Sequence, residues 1–366
     1  MNAIRSAFGF MLLCLILLIG SVPSAASTKE LVYVQEGRHL VTYSVSNTTA
    51  VTKKLGTLYI NLHPRVIRRS GSFLYVLGTA TTHECFNVYA LSSAGVPAAK
   101  PVQTLVVKHA LTQFYIHPNG KDAYAMFSWT KDVSGTTEFA SDIVLFTINP
   151  KTGKLTNTKK NIANFPLNAD WSTSINFLNS KGTQLYTTDI FHGLCQTCLG
   201  PSYFSSTINA KTGLLSPRVY FWSDGTRPSS FFGGSIFVYD EFSFNVYSMG
   251  AHRSLIAGCD ASMLLACGDH LQSVFVHPSN NYLFLLDDTT NEVPILYVNA
   301  PLKKLKASGA TIPGVPSLIA FSPDGLLVYA AEGREILVHV FDPHTGLLTA
   351  RTSIAVKGVN SILPAR

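Results

Sequence analysis

Charge is scarce in this chain. Asp, Glu, Lys and Arg make up only 13% of its 366 residues, about half of the roughly 25% in an ordinary soluble domain. The net charge of +7 is not gathered into a basic run interleaved with aromatics, which excludes a nucleic-acid partner. There is no Gly-rich phosphate loop and no G-x-S-x-G elbow, so neither phosphoryl transfer of the P-loop kind nor an α/β-hydrolase nucleophile is indicated. Beyond the N-terminus no run of 18 apolar residues occurs, and no transmembrane helix is expected in the mature part. No long amphipathic helical pattern interrupts the sequence. Hydrophobic residues are plentiful at 46%, which excludes intrinsic disorder. The 22 Phe and 15 Tyr lean towards strands, whose pleated surface accommodates aromatic and β-branched side chains.

Residues 1–26 combine one positive charge (Arg5), an apolar run from Phe8 to Gly20 and the small residues Ser24-Ala25-Ala26. This is the pattern of a secretory signal peptide, and the apolar run falls short of the roughly 20 residues that span a bilayer. The expected domains are therefore a signal peptide, 1–26, and one exported domain, 27–366, in the periplasm or outside the cell.

Length alone would allow two or three domains, but the chain repeats itself. The segments 30–52 and 326–349 both carry a strand-like stretch, an E-G-R turn and a second alternating strand. The first of these strands recurs as LYVLGT (74–79), AYAMFS (123–128), LYTTDI (185–190), IFVYDE (236–241) and LFLLDD (283–288). Each is followed by a partner, and most are preceded by a further strand ending in a Pro/Asn/Asp/Gly turn such as HPNG (117–120) or SPDG (322–325). Four short strands per repeat, seven times over, predict an all-β, seven-bladed β-propeller with four-stranded blades. The first repeat lacks an inner strand, while KGVNSILPAR (357–366) resembles the inner strand of the last repeat. The C-terminus is thus expected to join blade one and close the ring, leaving no open edge.

The turns FTINPKTGKLT (146–156), STINAKTGLLS (206–216) and FDPHTGLLT (341–349), with the hairpin FSPDGLLVYAA (321–331), resemble those of the bacterial seven-bladed lactonase-type propellers. These include the 6-phosphogluconolactonase-like and YVTN-type repeat proteins. The resemblance spans nearly the whole mature chain and implies the fold and, by extension, hydrolysis of lactones. Lactone-hydrolysing members tend to present a Pro-Arg-His step to the central channel. Here His63-Pro64-Arg65-Val66 keeps Pro-Arg without the His, and the last repeat has Val315-Pro316-Ser317.

Pockets in such a ring form where the loops entering the inner strands meet those joining second to third strands. By register that face gathers His39, His63, His83, His109, His192 and His270, and His252 lies near it. Asp170 with Trp171, Asp224 with Arg227, Asp189, and Glu332 with Arg334 are placed there too. His63, Arg65, Asp170, Trp171, His192 and Arg227 are the expected ligand-binding residues. His109 or His270 is the candidate general base for an ester or lactone, with Arg65 or Arg227 on the developing oxyanion. No cofactor is predicted; imidazoles beside carboxylates leave a divalent metal open. His117 and His277 fall in the opposite turns and read as turn residues. In an exported chain Cys195, Cys198, Cys259 and Cys267 are expected as disulfides. Three connectivities are open, and local bridges 195–198 and 259–267 are the expected ones. Cys85 is left as a buried free thiol. The polar insertion 129–142 reads as a loop that forms a lid or a partner-contact surface.

Three functions compete: a scaffold binding a small molecule, glycan or protein at the channel face, a lactone or cyclic-ester hydrolase, and a metal- or redox-dependent enzyme. The scaffold reading leads, because the catalytic step of the resembled family is incomplete. The protein is expected to be a monomer.

Overall fold

A computed structural model describes residues 29–80, 83–133, 136–168, 171–179, 181–191, 202–223, 230–232, 235–240, 243–248, 254–258, 271–287 and 291–365. Alternating apolar residues place Val, Ile, Leu, Tyr and Phe on the buried faces of strands. The first blade holds β1 (Lys29–Glu36), β2 (His39–Ser46) and β3 (Thr52–Tyr59), and the second β4 (His63–Ser70), β5 (Phe73–Thr79), β6 (Glu84–Ala90) and β7 (Gln103–Val107). The third consists of β8 (Ala110–Ile116), β9 (Asp122–Val133), β10 (Thr136–Ile148) and β11 (Leu155–Asn168). The fourth has β12 (Trp171–Leu178), β13 (Gln184–Phe191), β14 (Ser202–Thr207) and β15 (Val219–Ser223). One eight-stranded sheet follows, built from β16 (Ser230–Phe232), β17 (Ser235–Asp240), β18 (Ser243–Ser248), β19 (Ser254–Gly258), β20 (Leu271–Val276), β21 (Tyr282–Asp287), β22 (Glu292–Asn299) and β23 (Lys304–Pro313). The last blade has β24 (Leu318–Phe321), β25 (Leu327–Glu332), β26 (Glu335–Asp342) and β27 (Leu347–Ala355).

The molecule is an all-β propeller of four-stranded blades, but its sheets number six rather than the seven that the repeat predicts. The difference arises between β19 and β23, which meet in a single parallel bridge from Gly258 to Lys304, reinforced by the bond from Gly258 N–H to the Lys303 carbonyl. That bridge merges two stretches of four antiparallel strands into one sheet.

The C-terminal strand β28 (Ser361–Ala365) pairs antiparallel with β1, from Gln35 opposite Ser361 to Leu31 opposite Ala365. It is the innermost strand of the first blade and adjoins both β24 and β4. The apolar core lies between neighbouring blades. Tyr33, Leu40 and Ile60 interlock with Leu74 and Val76 of the second blade. Tyr75 and Phe86 pack with Phe114 and Phe146 of the third. Val32 and Val41 pack against Tyr329 and Val338 of the last blade, so the ring has no seam at the termini.

Polar clasps run between blades at defined points of the repeat. The hydroxyls of Tyr33, Tyr75 and Tyr124 donate to the carbonyls of Gly95, Gly153 and Gly213 at 2.8, 3.0 and 3.0 Å, each in the outer turn of the next blade. Burial pushes Tyr75 up to about 12. Gly153 has φ of 69°, and a Cβ there would stand 2.3 Å from the ring of Phe73. The T-G-x-L turn therefore brings a carbonyl against a neighbouring blade where no side chain fits.

His117 and His277 serve the same purpose on the inner turns, as expected of turn residues. Their Nε2 atoms lie 2.7 Å from the carbonyls of Gly182 and Gly325. Each Nδ1 accepts from a backbone N–H two residues on, which fixes the tautomer.

The insertion 129–142 is not a loop. It extends β9 and β10 past the start of the inner strand, where Ala110 pairs with Ser128, up to Thr136 opposite Val133. β11 follows this extension, with Asn168 opposite Phe139. The alternation of β10 simply continues through polar residues, and the third blade stands above the mouth on which the inner strands begin.

Candidate functional site at the channel mouth

β4 starts the second blade at this mouth. A bulge between Pro64 and Val66 leaves Arg65 outside the ladder with β5, the usual way in which a bulge re-aims a side chain. Gly78 makes room for the strand start, since a Cβ at that position would collide with the carbonyl of His63. Gln35 fixes the other side: its Nε2 donates to the Pro64 carbonyl at 2.9 Å, and its Oε1 accepts from the Ser361 hydroxyl at 2.9 Å. Arg65, with its side chain 43% exposed, forms an ion pair with Glu84, whose side chain is 14% exposed. Glu84 Oε1 also accepts from Thr79 Oγ1 at 2.9 Å, while its buried Oε2 has no hydrogen-bond partner among the described residues.

His63 is held from the first blade. Arg38 Nη2 bonds its Nε2, and because a guanidinium only donates, that nitrogen is the acceptor and the proton sits on Nδ1. Tyr59, 55% exposed, packs its ring edge against His39 at 5.5 Å and lies within 3.5 Å of Arg38 Nη1.

In the third blade His109 precedes β8 and stacks on Trp129, with ring centroids 4.5 Å apart and planes at 29°. Asp142 on β10 faces the same histidine: burial raises its carboxyl above the usual carboxylate range, and the charge of His109 pulls it back. Ser128 and Ser141 share a 3.2 Å hydrogen bond beside them, and Ser141 reaches the carbonyl of Thr173 in the next blade. Since β4 and β8 adjoin, the Arg65 and His109 groups start neighbouring inner strands.

The fourth blade adds a third cluster. Asp189 accepts from Thr173 Oγ1 at 2.7 Å and from Arg218 Nη1 at 2.8 Å, and the Arg218 guanidinium lies 4.2 Å over the ring of Phe204.

Of the residues expected here, the structure thus joins His63 to Arg38, Arg65 to Glu84, and His109 to Trp129 and Asp142. Trp171 opens β12 opposite Phe191. Asp170, His192, Arg227 and His270, and the cysteines at 195, 198, 259 and 267, lie outside the described residues. Cys85 is buried and free, and burial raises its thiol pKa. Among the described residues no group of three or more His, Cys, Asp or Glu side chains is arranged to hold a metal ion.

Sequence reasoning missed Arg38, Tyr59, Arg218, Trp129 and Asp142. The last two sit in the polar insertion 129–142, and Arg38 is the arginine of the first E-G-R turn.

No family model matches the sequence, and no curated protein does. Solved structures do match. A 6-phosphogluconolactonase-like protein from Bacteroides fragilis superposes with a TM-score of 0.63 at 16% identity, covering 94% of this chain and 100% of that one. Its counterpart from Bacteroides uniformis gives 0.63 at 16%, covering 92% and 99%. The periplasmic gluconolactonase PpgL of Pseudomonas aeruginosa gives 0.62 at 12%, covering 93% and 99%. With its ring of four-stranded blades closed by the C-terminal strand, the chain has the fold of the lactonase-type β-propellers.

Proposed function

We propose that the chain hydrolyses small lactones or related cyclic esters at this mouth. The observation that carries the reading is the juxtaposition of His109, set against Asp142 and Trp129, with Arg65 on the adjoining inner strand. In the reaction His109 takes a proton from water as the hydroxide adds to the lactone carbonyl. The Arg65 guanidinium stabilises the oxyanion. Collapse breaks the ring C–O bond, and the proton passes to the leaving alkoxide, so that lactone plus water becomes one hydroxy acid. The lactonases among the structural neighbours support this reading through fold alone.

Hydrolysis of a panel of aldonolactones, followed by pH-stat, tests it. Replacing His109 by Gln is expected to lower kcat/KM by roughly 100-fold or more, and Arg65→Met by a similar factor. Full turnover in His109→Gln would remove the base.

A second reading, a scaffold that binds a small molecule, glycan or protein without turnover, is favoured by one observation. Arg65 is already paired with Glu84, and Arg38 with His63, as suits groups that hold rather than react. Saturable binding of an aldonolactone with no hydrolysis would select it.

We also infer a periplasmic or secreted location, supported by the signal-like N-terminus and by the periplasmic neighbour. The single bridge between β19 and β23 supports counting the eight-stranded sheet as two blades, and the ring as seven.

A further inference from the structure

Three arginines lie on the inner strand β4, and only one has a carboxylate. Arg65 pairs with Glu84. Three residues on, about 10 Å further down the channel at the usual rise per residue, stand Arg68 and Arg69. Neither has a carboxylate within 4 Å among the described residues. Arg68 Nη1 bonds only the carbonyl of the preceding Ile67, at 2.9 Å. Arg69 Nε bonds the carbonyl of Gly71, and its Nη1 is buried without a partner among the described residues.

The two point to opposite sides of the strand. Ile67 belongs to the core between the first and second blades, and Arg69 follows it, with its charge felt by Tyr33 of the first blade. Arg68 alternates towards the third blade, where its Cζ lies 5.7 Å over the ring of Tyr115 on β8. Burial lowers the Arg68 pKa and raises that of Tyr115, so both groups sit deep in the molecule. Both nevertheless keep solvent contact. Side chains on adjoining innermost strands that are deep yet wetted border the central channel.

A deep cation without a counter-charge is destabilising, and since Arg68 uses only Nη1, on the Ile67 carbonyl, its Nε and Nη2 donors are open among the described residues to a planar or tetrahedral oxyanion. We propose that Arg68, with Tyr115, forms a binding site for a small oxyanion, a carboxylate or a phosphate, inside the channel below the mouth. The site stands independently of the hydrolase reading, because Arg65 and His109 are not part of it.

Thermal shift and calorimetric titration with inorganic phosphate and, separately, sodium acetate, both at constant ionic strength against chloride, test it. Saturable stabilisation by either anion is expected, and the two arms tell phosphate from carboxylate. Arg68→Met should weaken the preferred anion by roughly tenfold or more, whereas Arg65→Met should leave it within about twofold. No saturable effect from either anion overturns the site, as does an effect unchanged in Arg68→Met or lost only in Arg65→Met. Should Arg68→Met not fold, Arg68→Lys keeps the charge without the fork and is expected to weaken binding several-fold. Should neither variant fold, wild-type crystals soaked in phosphate and, separately, in acetate decide: either anion on the Arg68 guanidinium supports the proposal, and the absence of both there overturns it.

Discussion

His339 shows what the low charge content means for a single side chain. It sits on β26 with a buried Nε2 that has no hydrogen-bond partner among the described residues. Burial, with Arg351 opposite, lowers its pKa to about 4. The unfolded chain binds a proton near 6.5 while the folded chain resists it until about 4. The stabilisation is therefore complete above the unfolded pKa and is lost as pH falls towards the folded one. Between those values stability should drop by up to about 3 kcal/mol, and His339→Gln should flatten that part of a urea-denaturation pH series. An unchanged slope would show that another group titrates there. His277, whose pKa burial also lowers, adds to the same trend.

The turns and strand starts carry more meaning than the strands between them. In the T-G-x-L turn of the third blade the carbonyl of Gly153, not its side chain, is the functional group, since Tyr75 of the preceding blade donates to it. Gly153→Ala forces a left-handed backbone on Ala and drives its Cβ into Phe73, which should cost roughly 2–4 kcal/mol. Tyr75→Phe leaves only the acceptor unpaired and should cost about 1–3 kcal/mol. A Gly153→Ala protein as stable as the wild type by chemical denaturation would mean that the glycine's shape does not matter. These turns were legible as turns because Pro, Asn and Gly have fixed backbone preferences, and the strands because alternation is local. The site was legible only in part. His63, Arg65 and His109 follow from strand starts, but Arg38 reaches His63 across a blade boundary, and Trp129 and Asp142 lie where polar residues hid a continuing ladder. Pairing between blades is set by packing, which no local pattern records.

Closure is a property of the whole ring. β28 supplies an inner strand to β1, and its neighbours β24 and β4 meet on either side of it. Deleting residues 357–366 should uncover the β1 edge and lower Tm by about 5 °C or more; calorimetry showing a truncated protein as stable as the full chain would refute the closing role. The sheet count departs from the repeat for a reason invisible in the sequence, since one bridge at Gly258 and Lys304 is enough to fuse two sheets. The third blade gives the ring something that repetition cannot. A circle of similar units has no bearing, and a ligand entering its mouth could settle in any of several equivalent rotations. The tall ladder of β9, β10 and β11 removes that equivalence. It rises on the side of His109 and Trp129, so it acts as a compass point, a wall that the short hairpins at Gly37 and Gly333 do not raise beside the first and last blades.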